Sequence, residues 1–501
     1  MAAAAPRLHR HDITAAFGLA LLLGIAWTLR GWVDLSALRL PDTDDVMRLQ
    51  QIRDWLGGQA FGDLAQHRLG PAPGLGMHWS RLPDLVPAAL IAALAPLLGQ
   101  PGAEIAAVVA WPLMLFACAL LLIAGIARAL GASGALAATL GALAYPATSL
   151  FMPGRVDHHG FQLVLLLVVV RSLVRSGTAP AGIVAGVATA ASLAIGLEAA
   201  PLLALAAAAV ALLWLRGEAG AHARLCGYAL GLVLSLSAAA ALLRTRGWDY
   251  PACDGFTQHF WRAAQIGALA LLALAVAGFG LRTLRARAAA ILVAGAAGLG
   301  GALLLSPDCL HPYGRVDPLL VRVWLSQVEE AQPLLAAPVG HAIGYAGLML
   351  AGITASALAW RRERNTAWFV LLALQFGALA LTLAQLRGAY AGAILAAPAL
   401  AALIARARTH GVLALAAAWL ASTGLLYPIA AQAFTRGTGA PGRGCDQAAA
   451  LARLAILPAG TLLSPIDMGA RAIASTPHRS IAGPYHRNSA GNVAMYRFFL
   501  G

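Results

Sequence analysis

The sequence contains no lysine, so each of its 35 basic residues is an arginine. Charged residues of both signs occupy only 11% of the 501 positions, whereas hydrophobic residues occupy 60%. A soluble protein of this length could not cover so apolar a composition with polar surface. The composition therefore excludes a water-soluble globular protein and indicates an integral membrane protein.

A glycine-rich phosphate loop of the P-loop or Rossmann kind is also absent, and we expect no nucleotide site. The net charge of +14 would suggest a nucleic-acid partner if the arginines formed one basic patch. Most of them instead lie in short clusters between apolar runs, where positive charge fixes the orientation of membrane spans. We therefore expect membrane lipids, and no nucleic acid, as partners of this chain.

Apolar runs of about 17 to 22 residues recur along the chain, and this length spans the hydrocarbon of a bilayer. The first run follows a basic N-terminus but lacks the small-residue site of a cleaved signal peptide, so we interpret it as a span. The thirteen predicted spans are 13–31, 104–127, 135–152, 161–177, 180–197, 199–215, 226–243, 263–281, 288–305, 339–360, 367–385, 388–405 and 412–432.

The orientation of these spans depends on one further segment. Residues 84–99 are apolar but short and begin with an acid, so they either span or lie along the interface. If residues 84–99 do not span, the later arginine clusters lie on the same side as the basic N-terminus, as the positive-inside rule requires. We predict a cytoplasmic N-terminus and an outer C-terminus, in the inner membrane of a bacterium.

The predicted fold class is an all-α polytopic membrane protein with about 13 transmembrane helices. Residues 1–432 form the transmembrane domain. Residues 433–501 alternate strand-like pieces with proline and glycine turns, which predicts a small mixed α/β domain in the periplasm. The outer loops 32–103, 153–160 and 306–338 hold nearly all the unusual polar residues.

The first outer loop carries three carboxylates within four residues, and an arginine follows them: Asp42, Asp44, Asp45 and Arg48. Such carboxylates repel one another unless a metal ion, an arginine or a substrate hydroxyl lies among them. An acidic helix N-terminus is the alternative interpretation, because acids favour the positive end of the helix dipole. The two interpretations are compatible, since a helix end at a membrane face also fixes a carboxylate.

The second outer loop is very short and contains Asp157, His158 and His159 in succession. An acid and two imidazoles at a membrane boundary are costly to hold without partners. Carboxylate and imidazole are also good ligands for divalent cations of the manganese or zinc type. The alternative is ordinary polar surface.

Other candidates are spread over the remaining outer segments, and each has a structural alternative. Arg387 lies on the predicted outer side, whereas the arginine clusters lie on the cytoplasmic side. It therefore either holds an anion such as phosphate or extends its side chain along the lipid to the interface. The alternative to a functional role is an interface anchor for Trp79 and Arg81, and a polar turn residue for Glu198. The full set of further candidates is His78, Trp79, Arg81, Glu198, Glu329, Glu330, Arg387, Asp467, His478, Tyr485 and His486.

Three of the five cysteines lie in polar loops: Cys253, Cys309 and Cys445. A disulfide among them is expected if the loops face an oxidising compartment. The sequence does not determine which two pair.

Read in order, these loops resemble the membrane domain of the catalytic subunit of oligosaccharyltransferases, within the GT-C superfamily of polyprenyl-phosphate-dependent glycosyltransferases. The resemblance covers about residues 13–490. The spacing of Asp42 and Arg48 matches the family's first-loop Asp and Arg, and 157–159 matches its Asp-x-Asp motif. Val328 to Pro333 is similar to its fifth-loop motif and places Glu330 on the motif glutamate, and Arg387 matches its late arginine.

Two positions depart from the family pattern. His159 stands where the family has an acid, which puts the identity or presence of the metal in doubt. The family's Trp-Trp-Asp-Tyr-Gly acceptor motif is matched at best by 464–469, which contains Asp467 but no tryptophan. Recognition of an Asn-x-Ser/Thr peptide therefore does not carry over.

The resemblance implies inverting sugar transfer on the outer face from a polyprenyl phosphate or diphosphate donor to a lipid, glycan or protein acceptor. It implies that Asp42, helped by Asp44 or Asp45, orients or deprotonates the acceptor, and that Arg48 belongs to the same catalytic group. Asp42, Asp157, His159 and Glu330 would hold a divalent cation, magnesium or manganese. Arg387 and His158 would contact the donor phosphate.

Two alternatives remain open. One is a metal-independent branch of the same superfamily, of the protein O-mannosyltransferase or lipid A aminoarabinose transferase type. The other is a transporter or flippase of lipid-linked saccharide, which would place its polar residues near the bilayer midplane. This sequence keeps its polar residues at one face.

Overall fold

The structure is a computed structural model that describes residues 7–175, 177–311, 314, 316–435 and 447–501. Most of the elements are helices, because a chain segment in lipid finds no water for its backbone N–H and C=O groups and must form these hydrogen bonds within itself. The helices are α1 Arg10–Arg30, α2 Trp32–Ser36, α3 Thr43–Leu56, α4 Leu85–Ala129, α5 Gly134–Ala142, α6 His159–Val174, α7 Ala179–Ile195, α8 Ala200–Leu215, α9 Ala221–Leu242, α10 Gln258–Ala277, α11 Leu284–Leu305, α12 Pro318–Val323, α13 Val339–Glu363, α14 Thr366–Ala384, α15 Gly388–Ala407, α16 Val412–Ser422, α17 Leu426–Thr435, α18 Gln447–Ala455, α19 Met468–Ser475 and α20 Ser489–Leu500.

Eight helices in the described ranges are long and apolar enough to cross a membrane, or nine if the bent pair α16 and α17 forms one span. Three further apolar helices, α6, α7 and α8, are only 16 or 17 residues long. At 1.5 Å per residue they cover about 25 Å, slightly less than the hydrocarbon core. The structure therefore shows a multi-pass, mostly helical protein, and the count of thirteen spans stays a prediction.

Two predicted segments take a different form in the structure. The predicted span 135–152 is not one helix: α5 ends at Ala142 and a 3-10 turn follows at Ala147–Phe151. Pro146 separates them because proline lacks an amide hydrogen and disfavours a helical residue before it. Segment 84–99 is helical and runs into the next predicted span within α4, with a break at Gly99, whose φ of 69° favours glycine.

Helices α7 and α9 pack unusually closely through small residues. Gly182 and Gly186 lie on α7, and Gly227 and Gly231 lie on α9. A Cβ atom at Gly182 would lie only 2.2 Å from the Arg224 carbonyl oxygen of α9. Small residues at this spacing allow two membrane helices to approach closely.

The tail after residue 447 packs on the first outer loop. Strand β3 (Thr461–Leu462) pairs in parallel with β4 (Arg479–Ser480), while β1 (Ala65–Gln66) and β2 (Leu75–Gly76) form an antiparallel pair in the loop. A further bridge joins Leu69 to Ser480 and so links the two small sheets. The tail therefore has mixed helix and strand content, and its independence as a domain from 433 stays a prediction.

A disulfide joins Cys253 to Cys309, and Cys118 and Cys226 are free. Cys445, the third candidate, lies outside the described residues. The disulfide links the loop after α9 to the loop after α11, both assigned to the outer side. Disulfides persist in oxidising compartments such as the bacterial periplasm, and the periplasmic position of these loops stays a prediction.

The disulfide gives a direct prediction. Mass spectrometry of peptides from the purified protein, alkylated before and after reduction, is expected to recover residues 253 and 309 as one linked pair. Cys118→Ser should leave the linked peptide unchanged, whereas Cys253→Ser should free Cys309 for alkylation. Recovery of both thiols as free in protein isolated without reductant would contradict the pairing.

Candidate functional site

A cavity of about 740 Å³ opens where the outer loops meet. Its lining comes from segments that are far apart in the chain, because the outer ends of the helices bring their loops together. The predicted candidates that line it are Asp42, Asp44, His78, Trp79, Asp157, His158, His159, Glu198, Glu329, Glu330, Arg387, Asp467, Tyr485 and His486.

The first-loop acids occupy the N-terminus of α3. Asp42 is the N-cap residue and its carboxylate accepts a hydrogen bond from the Asp44 amide at 3.2 Å. The helix-start interpretation is thus correct for these acids, and it coexists with their position at the cavity. Burial and the nearby Asp157 charge raise the pKa of Asp44 well above its usual range.

Arg155 provides the positive charge that this cluster requires. Its guanidinium lies 3.2 Å from Asp42 and 3.1 Å from Asp45. Asp45 also accepts a hydrogen bond from the Asp157 amide at 2.9 Å, so it joins the first and second outer loops. Burial nevertheless raises the pKa of Asp45 to about 7. Asp45 lies behind the cavity wall and not on its surface.

Arg48, predicted to be catalytic, also lies behind the wall and is fully buried. Its guanidinium is 2.7 Å from Asp84 and 3.2 Å from the His158 ring, and it stacks 4.6 Å above the Trp79 ring. Arg81 contacts Asp84 as well, at 3.2 Å, and donates to backbone carbonyls. These two arginines therefore position the first loop, and they do not line the cavity.

The second outer loop enters α6 with its three polar residues clustered. One Asp157 oxygen is 2.5 Å from His158 Nδ1, and the other contacts His159 Nδ1. His158 Nε2 lies 3.3 Å from Glu198 at the turn after α7. Burial lowers the pKa of His158, but Asp157 and Glu198 outweigh it and raise that pKa to about 10.

These residues fit a divalent cation. The ligand atoms of Asp157, His158 and His159 all lie within 4.8 Å of one another. His159 Nε2 and Glu198 Oε2 are buried and have no hydrogen-bond partner among the described residues. Imidazole nitrogen and carboxylate oxygen are suitable donors for manganese or zinc. A cation would replace the imidazole protons, since ligation requires neutral histidine.

Glu330 and Arg387 meet at the same cavity. The Arg387 guanidinium lies 3.3 Å from the Glu330 carboxylate. The Arg387 amide donates to the Glu330 carbonyl at 3.0 Å, and the Leu386 amide donates to the Gln332 carbonyl at 2.9 Å. The end of the long loop 306–338 is therefore fixed to the turn between α14 and α15. Glu329 instead pairs with His341, at 3.3 Å.

The tail also lines the cavity. It is held there by Asp254, which was not among the predicted candidates. Asp254, next to the disulfide, accepts hydrogen bonds at 2.6 Å from both His486 and Arg487. The His78 and His486 rings are in contact, with centroids 4.5 Å apart and planes tilted by 57°. His478 does not line the cavity: its ring bonds the Gly460 amide and the Leu454 carbonyl within the tail.

The attachment of the tail through Asp254 predicts a pH-dependent stability. Burial alone would raise the pKa of Asp254, but Arg487 and His486 outweigh it and lower that pKa below its ordinary value. A lowered carboxylate pKa contributes stability above the unfolded pKa, about 4, and this contribution is lost as the pH falls further. Asp254→Asn breaks a buried pair and is expected to cost roughly 3 kcal/mol at pH 7.

Thermal unfolding of the wild type and Asp254→Asn at pH 7, 5 and 3 tests this expectation. The difference between the two proteins should be the same at pH 7 and 5 and should shrink at pH 3. An unchanged difference at pH 3 would show that Asp254 does not act through its charge.

Arg155 and Asp254 are the charged residues of the cavity lining that were not among the predicted candidates. The sequence does contain an indication for Arg155, because three neighbouring acids require a cation and this arginine lies within the predicted second outer loop. It contains none for Asp254, since its partners are more than 230 positions away.

Comparisons with known proteins identify the fold of this chain. No protein-family model matches the sequence, and no curated protein sequence matches it. Solved structures of the oligosaccharyltransferase AglB from Archaeoglobus fulgidus do match. The apo form has a TM-score of 0.68 at 15% identity, and the complex with an inhibitory peptide and a dolichol-phosphate has 0.66 at 16%. A form tethered to an acceptor peptide with the NVT sequon has 0.63 at 14%.

These matches cover 94% of this chain and 64% of the archaeal chain, so this chain spans about two thirds of the length of that protein. At this identity the likeness concerns the fold. The predicted resemblance to an oligosaccharyltransferase is thereby confirmed: the chain has the fold of AglB, an archaeal GT-C type enzyme.

Proposed function

We propose that this chain is a membrane glycosyltransferase of the GT-C type. It transfers a sugar or glycan from a polyprenyl phosphate or diphosphate to an acceptor at the outer face of a bacterial inner membrane. One observation carries the proposal: carboxylates from three separate outer loops line one cavity with Arg387. The fold of the archaeal oligosaccharyltransferase supports it.

The reaction is a displacement at the anomeric carbon of the donor sugar. An acceptor hydroxyl or amide attacks this carbon, its bond to the phosphate oxygen breaks, and the polyprenyl phosphate leaves with inverted configuration at the sugar. Asp42, with Asp44 beside it, orients the acceptor and takes its proton. Arg155 holds the Asp42 carboxylate in place.

The leaving phosphate requires positive charge. Arg387 lines the cavity and offsets the charge that develops on the phosphate oxygen. Asp157 and His159 would hold a divalent cation, with Asp42 and Glu330 from the same cavity as the further ligands, and such an ion would supply further charge stabilisation. His158 lies next to the same region and is held by Asp157 and Glu198.

The acceptor differs from the peptide of the archaeal enzyme in what the tail offers for its recognition. One archaeal structure holds an acceptor peptide, whereas this chain is shorter and its segment 464–469 lacks tryptophan. We infer a lipid, glycan or protein acceptor that approaches beside the tail residues Asp467, Tyr485 and His486.

One observation favours the metal-independent branch as a second candidate. Both oxygens of Asp157 already contact imidazoles, so the charge of this carboxylate is balanced without a cation. The two branches differ in their response to a chelator.

The test uses purified protein in liposomes made from the total lipid extract of the source membranes, which supplies the polyprenyl-linked saccharides and lipid acceptors, with a periplasmic extract added as the source of glycan and protein acceptors. Sugar transfer releases free polyprenyl phosphate or diphosphate, which mass spectrometry detects, and Glu330→Gln should slow this release. A flippase would move the intact donor across the bilayer and release no phosphate lipid. Inhibition by EDTA, reversed by manganese, would select the metal-dependent branch.

A further inference from the structure

A second and larger cavity, a groove of about 1000 Å³, lies on the other side of the first outer loop. It is bounded by the outer end of α1, by α2, by the start of α3 and by the tail helices α18 and α19. Leu40 and Pro41 line the groove, while the next residue, Asp42, lines the catalytic cavity. The groove is therefore separate from the proposed active site and adjacent to it.

The groove is strongly cationic for a site at a membrane boundary. Of the residues that the structure describes, four arginines and one carboxylate, Asp34, line the groove. Arg30 makes no hydrogen bond or ion pair with another described residue, and Arg39 makes only an exposed pair with Asp34, at 3.7 Å. Arg471 donates to the carbonyls of Leu40 and Pro41 at 3.3 and 3.4 Å. Arg53 is paired with Glu104, outside the groove, at 2.6 Å.

The remaining wall of the groove is apolar and continues into the membrane surface of the protein. Trp27, Leu38 and Val46 line it. Leu29, near the end of α1, is 72% exposed, and Val33, on α2, is 73% exposed. Helix α1 is apolar enough to span the bilayer. Such exposed apolar side chains contact lipid in a membrane helix.

This pattern differs from that of a site for a small soluble anion, which needs no apolar wall open to the bilayer. It also differs from a surface for a second protein copy, because four arginines around one groove would repel the same arginines of a partner. Cationic side chains just above apolar surface are the features that recognise anionic lipid headgroups. We propose that this groove binds the anionic headgroup of a membrane phospholipid, with the acyl chains along α1.

The inference does not depend on sugar transfer, so it can be tested by binding alone. Purified full-length protein in detergent is mixed with equal amounts of phosphatidylglycerol and phosphatidylcholine, and native mass spectrometry counts the retained molecules of each. We expect preferential retention of phosphatidylglycerol. Each arginine near such a headgroup contributes about fivefold in affinity, so Arg30→Gln with Arg471→Gln should reduce the preference more than tenfold.

Two further variants make the result specific to the groove. Ala37→Trp fills the groove without changing its charge and should also reduce retention of phosphatidylglycerol. Arg282→Gln with Arg361→Gln removes two exposed arginines at the opposite ends of the helices and should leave the preference unchanged.

Several outcomes would overturn the proposal. Equal retention of the two lipids, or an equal loss in the control pair, would show that no specific headgroup site exists here. Glycerol phosphate binding as tightly as phosphatidylglycerol would assign the groove to a soluble anion. Loss of a dimer in Ala37→Trp, with lipid retention unchanged, would assign it to a second copy of the chain.

Discussion

Asp42→Asn is expected to reduce sugar transfer at least a hundredfold while the protein remains folded. General acid–base catalysis by a positioned carboxylate contributes about 10²- to 10⁴-fold, and asparagine cannot take the proton. Asparagine is as good an N-cap residue as aspartate, so α3 keeps its first hydrogen bond. The lost pair with Arg155 is half exposed at Asp42, and such pairs contribute about 1 kcal/mol or less.

The effect is measured in a strain from which the gene has been removed and to which each variant is returned. Mass spectrometry compares the accumulated lipid-linked donor with the finished glycoconjugate, and thermal unfolding checks the fold. Asp249→Asn is a matched control, because Asp249 is an exposed acid of another outer loop and does not line the cavity. If Asp42→Asn formed as much glycoconjugate as the wild type and Asp44→Asn formed none, Asp44 and not Asp42 would be the residue that takes the acceptor proton.

Arg387→Gln is expected to reduce transfer by about 10²- to 10³-fold, the usual cost of removing one group that stabilises developing negative charge. Glutamine keeps most of the side-chain length but offers no charge to the phosphate. Arg387→Lys should retain part of the activity, since lysine supplies a point charge without the two-pronged geometry of guanidinium. The donor should accumulate in both variants, more strongly with glutamine.

Because Arg387 also contacts Glu330, the control must separate phosphate binding from loop position. Glu330→Gln removes the partner of Arg387 and keeps the arginine. If Arg387 only held the loop, Arg387→Gln and Glu330→Gln would weaken donor binding to the same degree. We expect binding of a fluorescent polyprenyl phosphate, measured with EDTA so that Glu330 holds no cation, to fall much further in Arg387→Gln than in Glu330→Gln. Arg361→Gln, at the other end of the bundle, should behave as wild type in the same assay.

The arrangement of the outer loops was predictable from the sequence because it follows from span length and arginine placement. Asp42, Asp157, Glu330 and Arg387 lie in loops assigned to one face, and the structure places all four around one cavity. Which residues line the cavity and which lie behind it was not predictable. Arg48 and Asp45 belong to the same helix as Asp44, and only the packing of α3 against neighbouring loops turns their side chains inward.

Pairs of residues that are distant in sequence could not be predicted either, because they too depend on how the loops pack. The pairing of Asp254 with His486 and Arg487 joins residues that no local pattern connects. The choice of Cys309 as the partner of Cys253 likewise depends on how two loops meet. The broken segment after α5 did have a local signal, Pro146, but its hydrophobic composition matches that of a continuous span.

The central claim is that the outer cavity binds the phosphate of a lipid-linked donor. Cryo-electron microscopy of the purified protein with a polyprenyl phosphate and manganese tests it most directly. We expect phosphate density within about 4 Å of the Arg387 guanidinium, on the side of the cavity that faces Asp157 and His159. Phosphate density only at the cytoplasmic ends of the helices, with an empty outer cavity, would contradict the account.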